Sequence, residues 1–338
     1  MIMIRTPMTE ALGTSVPIIQ AGMSWASSNS ALPAAVSAAG GLGVIAAGPM
    51  RPDDLRRAIG EVRAETTAPF AVNIPLYGKY RDEHLAIVRE LAVPTLIASQ
   101  GGPNRYEDII HDTATRCLHV VSSTSQAVKA AAAGVDGLIV VGGEAGGHPP
   151  SHAVSTMVST RAILREDLGL PVATSGGVAD GHGVAAMLML GADAVQMGTR
   201  FAATTESRLH SAYKQRLVEA GIDQTDTVGL PGKAIRVIPN GFTEKYEQLR
   251  SEGAGDEAEQ LFASTSLRQS AADGDVDTGK VEAGQTVGLV NDIVPVKVLM
   301  ERIMTEYQNA IRRMDLMHSG LYPQVASDSV ADHAPADH

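Results

Sequence analysis

For its first two hundred residues the chain alternates short apolar runs with longer amphipathic stretches. The apolar runs are Pro17–Ala21, Leu42–Ala46, Phe70–Ile74, Pro94–Ala98, Leu118–Ser122, Gly137–Val141, Pro171–Ser175 and Ala194–Met197. Each is too short for a helix and nearly continuously apolar, as strands buried on both faces of a parallel sheet should be. The stretches between them carry helix punctuation. Ala31–Ala39 closes on Gly40-Gly41, Pro52 and two acids open the next, and two later stretches end at Gly134 and Gly191. Eight strands alternating with helices predict an α/β fold, a (β/α)8 TIM barrel, over residues 1–205. An open doubly wound sheet is the competing architecture. Against it, the loop after the first run reads Gly22-Met-Ser-Trp-Ala-Ser27 and lacks the Gly-x-Gly-x-x-Gly of a dinucleotide-binding turn.

The pattern then changes. Residues 206–290 are more charged, and their helical periodicity is broken at 229–232 and 239–241. They predict a mainly helical C-terminal insertion that would lid the barrel mouth. Residues 291–318 predict a closing amphipathic helix that returns to the barrel, and 319–338, polar and rich in Ala, Asp, Ser and His, predict a disordered tail.

In such a barrel the eight C-terminal strand ends share one face. The residues that collect there are Gly22 and Met23, Asn73, Ser99–Gly102, the Gly142–His148 loop, Ser175–Gly177 and Met197–Arg200. The stretch Gly137–Pro150 organises this set. A buried strand spills into six residues that hold four glycines, and His148 follows. Glycine lets backbone approach a ligand because no Cβ stands in the way. His148 then faces whatever the glycines admit, and is the candidate catalytic residue. The loops after strands seven and eight are where barrels commonly hold phosphate on exposed N–H groups, so Gly176, Gly177, Gly198 and Thr199 form a candidate phosphate cradle. Arg200 either adds charge there or packs outward. Asn73 can hydrogen-bond a planar heterocycle. Together these features suggest a phosphorylated planar cofactor. A barrel that binds a phosphorylated sugar with no redox role would place its glycines similarly.

Composition narrows the field. Net charge is −11 with no Lys/Arg cluster, which argues against a nucleic-acid binder and against an anionic membrane surface. No signal-peptide pattern opens the chain and no apolar run reaches membrane-spanning length, so a soluble cytoplasmic protein is expected. The single cysteine, Cys117, excludes an intrachain disulfide and reads as a small buried residue. Asp136 and Asp193 sit at strand entrances and read as structural turn formers. No metal set is expected, since His148 and His152 are separated by prolines and helical spacing does not apply.

Several of these loops resemble the nitronate monooxygenase family (2-nitropropane dioxygenases), which includes enoyl-ACP reductase II. The matching pieces are Pro17–Met23, Ala39–Gly43, Pro69–Asn73, Gly143–His148, Ser175–Gly181 and Met197–Phe201, with Gly274–Gly279 and Ala283–Gly288 beyond the barrel. The resemblance implies noncovalent FMN at the C-terminal face, contacted by Gly22, Met23, Asn73, Gly147, Gly176, Gly177, Gly198 and Thr199, with Glu144 shaping its loop and His148 catalytic. It implies one of two chemistries. An alkyl nitronate is oxidised with O2 to a carbonyl compound and nitrite, which is the leading expectation. Alternatively NAD(P)H is the reductant and an enoyl thioester, or a quinone, is reduced. Some relatives carry a lysine at the end of strand five, where this chain reads His119-Val-Val-Ser-Ser123. An acyl-carrier substrate would want basic residues near the mouth, for which Lys79, Lys233, Arg236 and Lys245 are the candidates. An apolar lid would suit a homodimer.

Overall fold

The computed structural model describes residues 3–321 apart from residue 231. Eight strands form one sheet: β1 (Ile18–Gln20), β2 (Gly43–Ala46), β3 (Phe70–Pro75), β4 (Thr95–Ser99), β5 (Arg116–Val121), β6 (Gly137–Val141), β7 (Val172–Ser175) and β8 (Ala194–Met197). Every neighbouring pair is parallel and consecutive in sequence, and β1 pairs with β8 in the register Ile19 to Gln196. The remaining seam closes where the Leu42 N–H donates to the Ile18 carbonyl at 2.9 Å and the Gln20 N–H donates to the Leu42 carbonyl at 3.0 Å. The result is the TIM barrel expected from the alternating pattern.

The barrel interior is filled by a layer with one apolar residue from every strand: Ile19, Val44, Ala71, Ile97, Leu118, Ile139, Ala173 and Ala194. Met8 and Leu12 close it from below. They come from a helix, Pro7–Leu12, that the periodicity did not announce because it is only six residues long. Local chemistry makes it instead. Thr6 caps its N-terminus, Pro7 presets its first turn, and Gly13 ends it at φ +70°. The Thr6 hydroxyl donates to the Asp193 carbonyl at 2.7 Å, which fixes the helix at the N-terminal end of the strands. The two strand-entrance acids have structural work there. Asp136 accepts from the Cys117 N–H at 2.7 Å, and Asp193 accepts from the Val172 N–H at 2.8 Å. Cys117 is fully buried, and burial pushes its thiol up to about 12. It is an inert core residue.

The C-terminal part is mainly helical, with helices at Ser211–Glu219, Gly241–Ser251 and Gly255–Ser264. It also holds an antiparallel hairpin of β9 (Asp226–Val228) and β10 (Ile235–Val237). The break read at 229–232 falls between these two strands, which at three residues each are too short to show a period of two. The closing helix, Val296–His318, packs Val296, Leu299, Met300 and Ile303 against Ile18, Val195 and Met197 on the outside of the barrel. Of the expected tail, residues 322–338 lie outside the described residues. Among the described residues no helix is long and apolar enough to cross a membrane.

Candidate active site

A cavity of about 1330 Å³ opens at the C-terminal ends of the strands. Gly22, Met23, Asn73, Glu144, Gly147, His148, Gly176, Gly177, Gly198 and Thr199 all line it, so the fold brings every predicted site residue to one space.

The loops after β7 and β8 make one wall. Gly176 and Gly177 take φ of +99° and +74°, a left-handed backbone that turns their N–H groups outward. The N–H groups of Gly176, Gly177, Gly198 and Thr199 take part in no backbone hydrogen bond among the described residues. The Thr199 hydroxyl accepts from the Gly284 N–H at 2.9 Å, and its own hydrogen is left to donate. Arg200 does not join this wall. It is 4% exposed and turns away, bonding Asp292 at 3.1 Å and the carbonyls of Asp292 and Ala203 at 2.6 and 3.0 Å. Burial pulls its pKa down, and Asp292 opposes that.

The opposite wall is planar and polar. Asn73 donates to the Ile97 carbonyl at 3.0 Å and to the Ser99 hydroxyl at 3.3 Å, which occupies both its N–H bonds and leaves its amide oxygen as an acceptor. Gly22 lies so close that a methyl there would come within 2.5 Å of the Asn73 Cβ. At the cavity floor the Gln196 amide donates to the Ser175 hydroxyl at 3.0 Å. His119 lines the cavity from within β5, with Nδ1 2.7 Å from the buried Tyr106 hydroxyl. Burial lowers the pKa of this imidazole and a hydrogen bond to the Gly101 backbone opposes it, while burial raises that of the tyrosine. A histidine paired with a buried tyrosine stands near the position for which some relatives were expected to carry lysine.

The Gly142–His148 loop is fixed at both ends. The Gly142 N–H donates to the Ser175 carbonyl at 3.0 Å and the Gly143 N–H to the Val154 carbonyl at 2.7 Å. The Glu144 carboxylate accepts from the Thr156 N–H at 2.7 Å and hydroxyl at 2.8 Å, so it ties the loop to the helix Thr156–Leu164. From above, the Arg236 N–H donates to the Gly147 carbonyl at 2.7 Å and the Gln285 N–H to the Glu144 carbonyl at 3.0 Å. A methyl on Gly146 would sit 2.5 Å from the Ala283 carbonyl carbon, so only glycine lets the two backbones lie together. Held this way, the loop presents His148 as an exposed side chain at the cavity.

The strap that presses on this loop, residues 282–285, carries a candidate that the strand-end pattern did not reveal. Glu282 is half-buried, lines the cavity, and its Oε2 lies 3.1 Å from where a Gly147 Cβ would stand. Burial raises its pKa, and His148 and Lys280 pull it back down. Lys129, Lys233, Arg268 and Lys280 also line the cavity. Of the four basic residues singled out from sequence, only Lys233 is among the lining residues. Lys79 lies over the Tyr80 ring, Lys245 pairs with Gln248, and Arg236 is buried with its guanidinium on the Gly143 carbonyl. Among the described residues one metal-type set converges, Asp180, His182 and Glu306. Its two carboxylates cap the backbone of Gly183 and Gly181, and none of the three lines the cavity.

A single family model, described as nitronate monooxygenase, matches residues 5–306, nearly the whole described chain. The chain belongs to the nitronate monooxygenase family. Among curated relatives it is 30% identical to a Mycobacterium tuberculosis (3aS,4S,5R,7aS)-5-hydroxy-7a-methyl-1-oxo-octahydro-1H-indene-4-carboxyl-CoA dehydrogenase, covering 90% of this chain and 96% of that one. It is 31% identical to a nitronate monooxygenase of Paraburkholderia phytofirmans, covering 90% and 95%. Among solved structures it is similar to FabK from Thermotoga maritima, with a TM-score of 0.86 and 39% identity over 92% of this chain and 99% of that one. Family membership makes the protein an oxidoreductase of a flavin-dependent family.

Proposed function

We propose that the protein is an FMN-dependent oxidoreductase that works at the α,β-carbons of an acyl or enoyl thioester. The observation that carries this reading is the cavity itself. At about 1330 Å³ it exceeds the range of roughly 300–1,000 Å³ usual for one small ligand. It divides by chemistry into two compartments. The wall of Gly176, Gly177, Gly198 and Thr199 offers unpaired N–H groups and a hydroxyl, which suit the FMN phosphate, and Asn73 and Gln196 offer amides that suit the edge of its ring. The outer part is bounded by Tyr77, Phe262, Lys129, Lys233, Arg268 and Lys280. In a chain of net charge −11, this cavity gathers four basic side chains against two carboxylates, Glu144 and Glu282, a local excess of positive charge. The basic side chains complement a long anionic carrier such as CoA, and a substrate as small as an alkyl nitronate needs none of that length. When bound, FMN supplies hydride acceptance and donation. The protein's part is to hold the thioester against it, to exclude water, and to place His148 where it donates a hydrogen bond to the thioester carbonyl oxygen and stabilises charge there.

The mycobacterial relative whose name specifies a carboxyl-CoA substrate supports this reading at the level of the reactant. Oxidation of an alkyl nitronate with O2 is the second reading. The family description and the Paraburkholderia relative favour it, and the same basic rim would receive the nitronate anion. In the reductive direction of the thioester chemistry NAD(P)H would be the reductant.

Truncation of the carrier tests the proposal. The same acyl group on N-acetylcysteamine should be turned over with kcat/KM at least about 100-fold below that on CoA, because two charged contacts of about 1.5–3 kcal/mol each are lost. Lys233→Glu combined with Arg268→Glu should lower kcat/KM for the CoA thioester and leave the truncated substrate unchanged. Equal rates on both carriers would remove the basic rim from substrate recognition.

A further inference from the structure

We propose that Glu282 is the general base of this site, taking the α-proton of the bound thioester; the inference rests on the thioester reading above. Glu282 stands on the strap that crosses the mouth, and its carboxylate is set against the Gly147 backbone beside His148. Its backbone is fixed independently of its side chain. The Tyr213 hydroxyl donates to the Glu282 carbonyl at 2.7 Å, and the Ala283 N–H donates to the Arg236 carbonyl at 3.3 Å. No hydrogen bond or ion pair within 4.0 Å occupies the carboxylate among the described residues, in contrast to Glu144, which is committed to Thr156. A half-buried carboxylate that faces a ligand cavity without a structural partner is placed for proton transfer.

The groups that face it come from four elements. His148 reaches it from the loop after β6, Tyr77 from the loop after β3, and Lys280 from its own segment, while Tyr213 approaches from the helix Ser211–Glu219. Burial raises the carboxyl pKa, and His148 and Lys280 oppose this without cancelling it. A base with a pKa above the usual carboxylate value of about 4.3 is better matched to a weakly acidic carbon than an ordinary glutamate. The division of labour then follows. His148 donates to the carbonyl oxygen and steadies the developing enolate, and Glu282 takes the proton. In oxidation of a saturated thioester the α C–H bond breaks to leave its proton on Glu282. The electron pair of that α C–H bond would close the α,β double bond, and a flavin held by the wall of Gly176, Gly177, Gly198 and Thr199 would supply the two-electron acceptance that takes the β-hydrogen as hydride. Reduction runs the same steps backwards, with Glu282 returning the proton.

The test separates proton transfer from redox turnover. Holoenzyme is reduced anaerobically with dithionite, so that no hydride acceptor remains, and incubated with butyryl-CoA in D2O. Deuterium at the α-carbon is read by mass spectrometry, and the flavin absorbance of each variant is recorded beforehand. Wild-type protein should exchange the α-hydrogen, and Glu282→Gln should slow exchange by about 10²- to 10⁴-fold with its flavin retained. Exchange by wild type should fall as pH drops through the raised Glu282 pKa, because the base must be ionised, and this limb should vanish in Glu282→Gln. Glu282→Asp keeps the charge and withdraws it by one methylene, so it should slow exchange and preserve the pH limb. In a readout independent of turnover, the infrared difference spectrum between acidic and neutral pH should contain a carboxylic-acid band that titrates above the usual range and is lost in Glu282→Gln. Exchange at the wild-type rate in both variants would overturn the assignment while leaving the thioester reading intact. Wild-type protein that neither exchanges any acyl-CoA nor is reduced by one would overturn both.

Discussion

His148→Ala should keep its flavin and lose about 10²- to 10⁴-fold in kcat, the usual scale for removing a positioned proton-transfer or oxyanion-stabilising group. The two halves of this expectation have separate structural grounds. The side chain is exposed and makes no hydrogen bond among the described residues, so its truncation should change stability by no more than about 0.5 kcal/mol. The loop itself is held by backbone groups and by Glu144, none of which the substitution touches. The candidate phosphate wall lies on the loops after β7 and β8, on backbone N–H groups of other residues. Absorbance of the purified variant and steady-state turnover check the two halves together. Wild-type turnover in this variant would remove His148 from the mechanism, and a colourless preparation would mean that the loop and the flavin depend on the imidazole.

Gly176→Val should do the reverse and release the cofactor from an otherwise folded protein. Gly176 sits at φ +99°, a conformation that costs an L-residue roughly 1–2 kcal/mol. Its Cβ would stand 3.0 Å from the Thr156 hydroxyl and 3.1 Å from the Ala145 nitrogen. Neither neighbour can give way easily, because Thr156 is bonded twice to Glu144 and Ala145 is followed by the glycine pressed against the strap. The loop would relax out of its left-handed turn, and the bound state would have to restore it. At about 1.4 kcal/mol per factor of ten, flavin Kd should rise roughly 5- to 30-fold. Gly169→Ala is the control. It carries a similar positive φ, +69°, with nothing within 4 Å of its Cβ and no place in the cavity lining. Its flavin Kd, measured by fluorescence titration of the flavin-free protein, should be unchanged. An unchanged Kd in Gly176→Val would show that the cradle does not depend on this turn.

The fold could be read from the chain because its strongest signals are local. A buried parallel strand needs only four or five consecutive apolar residues, and all eight runs from Pro17–Ala21 to Ala194–Met197 overlap observed strands. The candidate site was readable for the same reason: in a barrel the C-terminal strand ends meet, so naming the ends names the residues that share the cavity. What escaped depends on contacts between distant segments. Glu282 and the strap meet Gly147 and Glu144 across more than a hundred residues of sequence, and no periodicity encodes that meeting. The basic rim was misread likewise. Arg236 looked available because it is charged, yet the hairpin buries it on the Gly143 carbonyl, while Arg268 and Lys280 reach the cavity from the C-terminal segments. One overlooked signal was local. Gln20, His119 and Gln196 interrupt apolar parallel strands as Asn73 does, and a polar residue inside such a strand is buried only if it has partners or a ligand. Asn73 was singled out instead as a strand-end residue able to hydrogen-bond a planar heterocycle, and His119 and Gln196 line the same cavity.

The most direct measurement is the flavin absorbance of anaerobic purified protein mixed in parallel with an acyl-CoA, with an enoyl-CoA after reduction by NADH or NADPH, and with an alkyl nitronate. A thioester oxidoreductase should lose its oxidised-flavin band on addition of a suitable saturated acyl-CoA, or regain it from the reduced state on addition of the enoyl-CoA, and should respond weakly to nitronate. Flavin unaffected by every thioester but rapidly reduced by nitronate, with oxygen-dependent release of nitrite, would contradict the thioester account and establish the nitronate reading in its place.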